Sequence, residues 1–253
     1  MRRIDLLNPL AKKGNTFTFD DALKISHLTT KSLQKVIYRL QQKGAIERIA
    51  KGKYLIIPLG AEKGKYTLHE FVIGSLLVDS YSIAYWSALN YYGLTEQIPT
   101  TIFIQTNTRK FNTNPKIFGV KYKIIRIKKE KLFGTRKEWI EETPINITDK
   151  EKTIIDCLDI PKYSGGIIEV AKALKNNKFN RNKLEDYAQR IENSGVIRRL
   201  GYLCDLLKIK ITLPELKVRN YLLLDTSMPK NGLKSAKLRL IINLDDKVLG
   251  ELE

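Results

Sequence analysis

The feature that most constrains the fold is an amphipathic helix followed directly by a cationic hairpin. The helix can begin at Thr29 or Thr30. After that residue, apolar residues recur at i, i+3, i+4 and i+7, a spacing that predicts one buried stripe made of Leu33, Val36, Ile37 and Leu40. Gly44 follows Lys43, where a left-handed helix stop is expected. The runs Ile46–Ile49 and Tyr54–Ile57 then flank the turn A-K-G-K, and this pattern predicts a two-stranded hairpin.

Two shorter helical patterns precede this pair. The first has an apolar face made of Ile4, Leu6, Leu7 and Leu10. In the second, Thr18 is a candidate N-cap with Asp21 three residues later, a relative of the capping box. Three helices and a hairpin within about 55 residues predict a winged helix-turn-helix, with the short polar link S-H-L-T-T as its turn.

In a winged helix-turn-helix, the third helix lies in the major groove of DNA and the hairpin forms the wing. Because the apolar stripe faces the core, the opposite side of the helix is the candidate DNA-binding surface: Thr30, Lys31, Gln34, Lys35, Tyr38 and Arg39. Gln can pair with adenine, and Lys can reach guanine or a phosphate. The wing adds Arg48 on its arm, with Lys51 and Lys53 expected at its tip. A solvated turn is the simpler interpretation of the hairpin alone, but the helix upstream favours DNA contact.

The charge of the chain supports a polyanionic partner. Its 45 Lys and Arg outnumber 27 Asp and Glu, which gives a net charge of +18. Residues 1–60 hold twelve of the cations and four of the anions, so +8 lies in the first quarter of the chain. We therefore expect a nucleic-acid surface in this region.

Composition argues against several other classes of protein. The chain has no run of about 18 apolar residues, so no membrane span or membrane partner is expected. Asp5, Asn8 and Pro9 interrupt the basic, apolar N-terminus, which favours a cytoplasmic protein over a secreted one. Cys157 and Cys204 lie far apart, so two buried thiols in helices are expected rather than a disulfide or a zinc site.

A glycine-bearing stretch at 59–65 predicts a linker, with a DNA-binding domain over residues 1–60 and a second domain over 61–253. The second region starts with a helical pattern and continues with the strand-like runs Thr101–Thr106 and Tyr122–Lys128. A helix follows, with Thr148 as its expected N-cap, and three more helical runs and two strands complete the region. The predicted fold class is α/β (α+β), a winged helix-turn-helix followed by a larger mixed α/β domain.

Candidate catalytic groups are few in this sequence, and each has a simpler structural interpretation. Asp156 and Asp159 share a helix face and could hold a metal, but pairing with lysines such as Lys152 or Lys162 on a solvated side is the preferred interpretation. The run 164–166 (S-G-G) could receive a phosphate, yet a helix-entry turn explains it better. His27 and His69 are interpreted as satisfied or surface side chains. No catalytic residue, metal or cofactor is therefore predicted.

Several stretches resemble one family, the AbiEi-type antitoxins: S-Y-S-I-A-Y-W-S-A-L-N-Y-Y-G-L-T (80–95), I-P-T-T-I-F-I-Q-T (98–106), the run 147–174, R-R-L-G-Y-L-C-D-L-L (198–207) and L-R-L-I-I-N (238–243). Together with the winged helix, the resemblance spans nearly the whole chain. It implies a transcriptional regulator that is the antitoxin of a type IV toxin–antitoxin pair. Its N-terminal domain would bind inverted repeats of double-stranded DNA in its own promoter, as a possible homodimer on DNA.

The same resemblance implies that the C-terminal domain counters a nucleotidyltransferase-like toxin without a stable complex. The competing hypothesis is an enzyme that acts on nucleic acid and uses the winged helix only for targeting. A convergent acidic or histidine cluster would distinguish that enzyme, and the sequence does not display one.

Overall fold

The computed structural model describes residues 3–12, 14–58, 68–110, 112–245 and 250. The chain divides into two compact units, Met1–Asp79 with Lys116–Gly119, and Ser80–Pro115 with Val120–Glu253. The expected linker at 59–65 lies outside the described residues, and the functional boundary after residue 60 stays a prediction. The first unit continues to Asp79 because a further helix, residues 70–77, packs against the first strand of the hairpin, residues 46–50.

The first unit contains the predicted winged helix-turn-helix. Its elements are α1 (Arg3–Ala11), β1 (Thr16–Thr18), α2 (Phe19–Ser26), α3 (Thr30–Gln42), β2 (Ile46–Ala50), β3 (Lys53–Ile56) and α4 (Glu70–Leu77), and the short strand β6 (Lys116–Ile117) also belongs to it. α1 packs on α2 and α2 on α3, while α3 contacts β2. The core between them contains Leu6, Leu10, Leu33, Ile37 and Leu40.

Local caps set the ends of the two helices of the motif. Thr18 accepts a hydrogen bond from the Asp21 amide at 3.1 Å, and Asp21 Oδ2 accepts one from the Thr18 amide at 3.0 Å. This reciprocal pair is a capping box, as predicted. Thr29 caps α3 by accepting from the Ser32 amide at 3.3 Å. Gly44 has φ +67°, which confirms the expected left-handed stop.

The sheet of the first unit has one strand more than the predicted hairpin. The strands lie in the order β1-β3-β2, and both pairings are antiparallel. Phe17 of β1 lies opposite Tyr54 of β3, and their rings stack with centroids 5.3 Å apart. The third strand therefore anchors the hairpin to the residues that lead into α2.

The second unit is a mixed sheet with helices. Its elements are β4 (Ser82–Ile83), α5 (Tyr85–Tyr91), β5 (Thr101–Thr106), β7 (Val120–Arg126), β8 (Thr135–Ile140), β9 (Thr143–Thr148), α6 (Lys150–Asp159), α7 (Ile167–Asn176), α8 (Arg181–Arg190), α9 (Ser194–Leu206), β10 (Leu222–Leu223), β11 (Leu233–Ser235) and β12 (Leu240–Ile242), with 3₁₀ turns at Lys129–Lys131 and Pro161–Tyr163. Five strands follow the order β7-β5-β4-β9-β8. A small sheet has the order β10-β12-β11. The α/β class is therefore confirmed.

The core of the second unit lies between its sheet and its helices. Phe103 and Ile125 point from the sheet into a cluster with Ile154, Val170 and Leu200 of the helices. Cys157 and Cys204 are buried free thiols in α6 and α9, as expected. Burial raises the pKa of Cys204 to about 12, so this thiol stays protonated at neutral pH.

Two expectations for α6 were wrong. Its N-cap is Asp149, whose Oδ1 accepts from the Lys152 amide at 2.9 Å, because Thr148 is still the last residue of β9. Asp156 pairs with Lys152, as expected, but not on a solvated side: Asp156 is 2% exposed and Lys152 is fully buried. α6 is enclosed on nearly all sides, so charges spaced along one of its faces point inward.

Candidate nucleic-acid interface

The exposed face of α3 is the strongest candidate for a binding surface in the first unit. Five of its side chains, spaced along three turns, line one shallow groove: Lys31, Gln34, Lys35, Tyr38 and Arg39. All five are exposed, and the Tyr38 ring is 63% exposed. Thr30 is exposed at the start of the same helix. The structure therefore brings together the six α3 residues that the sequence placed on one surface.

The buried stripe on the other side of α3 fixes this orientation. Leu33 is fully buried, and Ile37 and Leu40 are each 3% exposed. Burying these three side chains contributes roughly 1.5–3 kcal/mol each. A rotation of α3 that hid the polar face would expose them, so the packing of the core holds the polar face in solvent.

The electrostatics of α3 favour an anion. The helix contains three cations and no acidic residue over Thr30–Gln42. Lys31 lies in the first turn, where the partial positive charge of the helix dipole adds to its own. Lys35 and Arg39 follow at intervals of four residues, so the three cations form one row. A row of cations of this kind matches the phosphate backbone of a duplex.

The tip of the hairpin is the two-residue turn Lys51–Gly52. Gly52 has φ +71°, a conformation that glycine adopts without strain. Its carbonyl accepts a hydrogen bond from the Phe19 amide at 2.7 Å, which ties the tip to the start of α2. Lys51 is exposed at this tip. Arg48 is exposed too, and its Nε donates to the Ala50 carbonyl at 3.3 Å.

Lys53 is placed differently from the sequence expectation. It is the first residue of β3 rather than part of the tip, and its ammonium nitrogen lies 2.8 Å from Asp79 Oδ1. The Lys53 side chain is 24% exposed, whereas that of Asp79 is 83% exposed. Asp79 thus holds one of the candidate cations in an ion pair within the same unit. No local pattern indicated this pair, because the two residues are 26 positions apart.

The polar groups considered for catalysis have structural roles. His69 caps α4 by accepting from the Phe71 amide at 3.1 Å, and His27 ends α2 with φ +54°. At the run 164–166 the amide of Ile167 donates to Asp225 Oδ2 at 2.7 Å, so a carboxylate already occupies the start of α7. Across the described parts of the chain, no three His, Cys, Asp or Glu side chains are grouped as a metal site requires. Among the same residues, no helix is long and apolar enough to cross a bilayer.

Comparisons with known proteins agree with this geometry. Residues 5–57 match the family model described as "Transcriptional regulator, AbiEi antitoxin". No curated protein matches the chain. A solved structure, "Crystal structure of RV2827C protein from Mycobacterium tuberculosis", is similar with a TM-score of 0.66 and 16% identity over 98% of this chain and 94% of that one.

At that level of identity, the solved structure shows a shared fold and nothing more. The family match covers the winged helix, from α1 to the end of the hairpin sheet. The resemblance of residues 80–243 to the same family stays a prediction. The similarity to the AbiEi antitoxin family of transcriptional regulators is thus established over residues 5–57, the winged helix.

Proposed function

We propose that the protein binds a specific operator in duplex DNA, with α3 in the major groove and the hairpin on the flanking backbone. The observation that carries this proposal is the groove on α3, where five exposed polar or aromatic side chains stand opposite a fully packed stripe. A helix of this length with such a face fits the width of the major groove.

The residues of this surface divide by chemistry. Gln34 offers both an amide donor and an acceptor, which is the pattern that pairs with adenine. Lys31, Lys35 and Arg39 supply charge for guanine edges or phosphates. Lys51 at the hairpin tip reaches a flanking phosphate, and Lys53 joins it only when its pair with Asp79 opens.

We further propose that the protein is the antitoxin of a type IV pair. It represses its own operon by binding inverted repeats as two copies on DNA, and its C-terminal domain counters a nucleotidyltransferase-like toxin without a stable complex. The match of residues 5–57 to a regulator and antitoxin family supports this proposal.

Fluorescence anisotropy with duplexes tests the DNA-binding proposal. The parent protein is titrated against the DNA upstream of its own gene and against an unrelated duplex of equal length, with EDTA present. We expect tighter binding to the upstream duplex. Gln34→Ala should reduce this preference. Lys51→Ala should weaken binding to both duplexes equally, and it should reduce the slope of log K against log salt by the equivalent of about one phosphate contact.

Two results oppose the proposal in different ways. Equal binding to both duplexes by the parent and by Gln34→Ala refutes operator recognition through α3. Cleavage of either duplex when Mg²⁺ replaces EDTA favours the nucleic-acid-processing enzyme instead.

Growth rescue tests the antitoxin proposal separately. The product of a neighbouring nucleotidyltransferase-like gene is expressed with the parent protein or with a Lys31→Ala, Lys35→Ala variant. We expect rescue in both cases, because the proposed antitoxin function lies in the C-terminal domain. Failure of the parent to rescue growth refutes the antitoxin proposal and leaves the DNA-binding proposal intact.

A further inference from the structure

A cleft of ≈ 860 Å³ lies on one side of α9 in the second unit. Its other walls are the extended segment 211–219 and residues 236–239. Apolar side chains form much of its surface: Ile197, Ile211, Leu213, Leu216, Val218 and Leu238. Gly201 is buried where the cleft meets α9, and Leu213 and Leu238 pack close to the helix backbone there: a Cβ on Gly201 would lie 3.5 Å from both Leu213 Cδ1 and Leu238 Cδ2. A cleft of this volume and composition is suited to a small organic molecule.

Arg198 contributes a buried positive charge to the wall of this cleft. It is 2% exposed, and all its hydrogen-bond partners are neutral oxygens. Its Nη1 donates to the carbonyls of Asn220 at 2.9 Å and Arg239 at 3.2 Å, and its Nε and Nη2 donate to the carbonyl and hydroxyl of Ser194. Among the described residues, no carboxylate pairs with this guanidinium. Burial lowers the pKa of Arg198, with no acidic group opposing the shift.

A buried cation without a counter-ion is energetically costly, and the partners of Arg198 compensate for only part of that cost. The carbonyls hold the guanidinium plane in place, which explains its position. They do not neutralise its charge. An anion bound in the cleft would do so, and a guanidinium fixed in orientation loses little side-chain entropy on binding.

The rim of the cleft adds further cations. The lining contains five basic side chains, Arg198, Lys217, Arg219, Lys237 and Arg239, against two acidic ones, Asp205 and Glu215. Asp205 is engaged by Lys237 at 2.7 Å. Arg239 is exposed, lies over the Tyr221 ring at 5.4 Å and donates to its hydroxyl at 3.3 Å, and these two contacts direct its guanidinium along the rim.

We propose that this cleft binds an organic phosphate, a small molecule that joins an apolar or ring portion to a phosphate group, as nucleotides do. The ring portion packs on the apolar wall at Gly201, Leu213 and Leu238. The phosphate lies at the cationic side, near Arg198, Arg219 and Arg239, because guanidinium groups match phosphate oxygens in charge and geometry. This site lies in the second unit and does not depend on the DNA-binding surface of α3.

Calorimetry on the full chain tests the site, with ATP, adenosine and inorganic phosphate as separate probes at one ionic strength. We expect saturable one-to-one binding of ATP, and at least tenfold weaker binding of both adenosine and phosphate. Arg219→Gln should weaken ATP binding at least tenfold, while Arg126→Gln, which removes an exposed arginine outside the cleft, should change it less than twofold. Arg219 is exposed, so its replacement leaves the core intact.

Two further variants locate the ligand. Gly201→Met extends a side chain from α9 into the apolar half of the cleft, and we expect it to weaken ATP binding at least tenfold with an unchanged circular dichroism spectrum. Lys31→Ala with Lys35→Ala should leave ATP binding unchanged, which separates this site from the α3 surface.

Equal losses of ATP affinity with Arg219→Gln and Arg126→Gln overturn the proposal, because they indicate attraction to overall charge. Equal affinity for ATP and inorganic phosphate also overturns it.

Discussion

The buried ion pair in α6 gives a quantitative prediction for stability. Lys152 is fully buried and Asp156 is 2% exposed, and the two lie one helical turn apart. The Lys152 ammonium also lies 4.7 Å from the centre of the Phe133 ring. Asp156→Ala removes the carboxylate and leaves the ammonium with the ring and no counter-ion. The second unit should lose stability, because water cannot reach the buried charge.

The expected magnitude follows from the burial of both partners. Removing one member of a buried pair costs about 3–5 kcal/mol. For a unit of this size each kcal/mol lowers Tm by about 2–4 °C, so the melting temperature should fall by roughly 6–20 °C. The double variant Lys152→Met, Asp156→Leu replaces both charges. Its free energy of unfolding should lie between that of the parent and about 4 kcal/mol above it.

Urea unfolding followed by tryptophan fluorescence measures both effects. The two tryptophans, Trp86 and Trp139, lie in the second unit, so the signal reports that unit. If Asp156→Ala lowers the free energy of unfolding by less than about 1 kcal/mol, the Lys152 ammonium is solvated, which conflicts with its burial. A double variant less stable than Asp156→Ala would also refute the reasoning.

Three further predictions concern pH, DNA affinity and backbone strain. Burial raises the pKa of Asp156 from 3.8 to about 6, although Lys152 lowers it, so the stability that this carboxyl contributes is full below about pH 4 and is lost as pH rises through 6. Both protonation states keep an oxygen on the Lys152 ammonium, which Asp156→Ala removes and Asp156→Asn retains, so Asp156→Asn should flatten urea midpoints measured from pH 4 to 7. Asp79→Asn should release Lys53, steepen the salt dependence of DNA binding by about one contact, and cost about 0–1 kcal/mol in urea unfolding. Gly166→Ala should lower stability by about 1–3 kcal/mol in the same assay, because Gly166 has φ +96° and its Cβ would lie 2.8 Å from Asp225 Oδ2.

Features that depend on local sequence could be predicted. The stripe of α3 is buried because a period of 3.6 residues places Leu33, Ile37 and Leu40 on one side wherever that helix packs. Thr18 with Asp21 forms its capping box from residues within one turn. These local signals were sufficient to place the exposed residues of α3 on one surface.

Features that depend on distant residues could not be predicted in this way. The strand β1 was not predicted: the alternation T-F-T-F is a strand pattern, but it lies directly before the N-cap of α2, and only the pairing with β3 makes it a strand. The ion pair of Lys53 with Asp79 depends on where α4 ends. The charges of α6 were expected on a solvated face, since a spacing along one helix does not reveal that the whole helix is enclosed.

The central claim is that the exposed face of α3 binds duplex DNA. The direct test is the salt dependence of DNA affinity for Lys31→Ala with Lys35→Ala, compared with Lys175→Ala and Lys178→Ala. The second pair removes the same charge from exposed positions in the second unit. We predict that the α3 variant loses at least tenfold in affinity and about 1.8 in the slope of log K against log salt, while the control stays within twofold of the parent. Equal losses in the two variants would contradict the claim, because binding would then follow net charge alone.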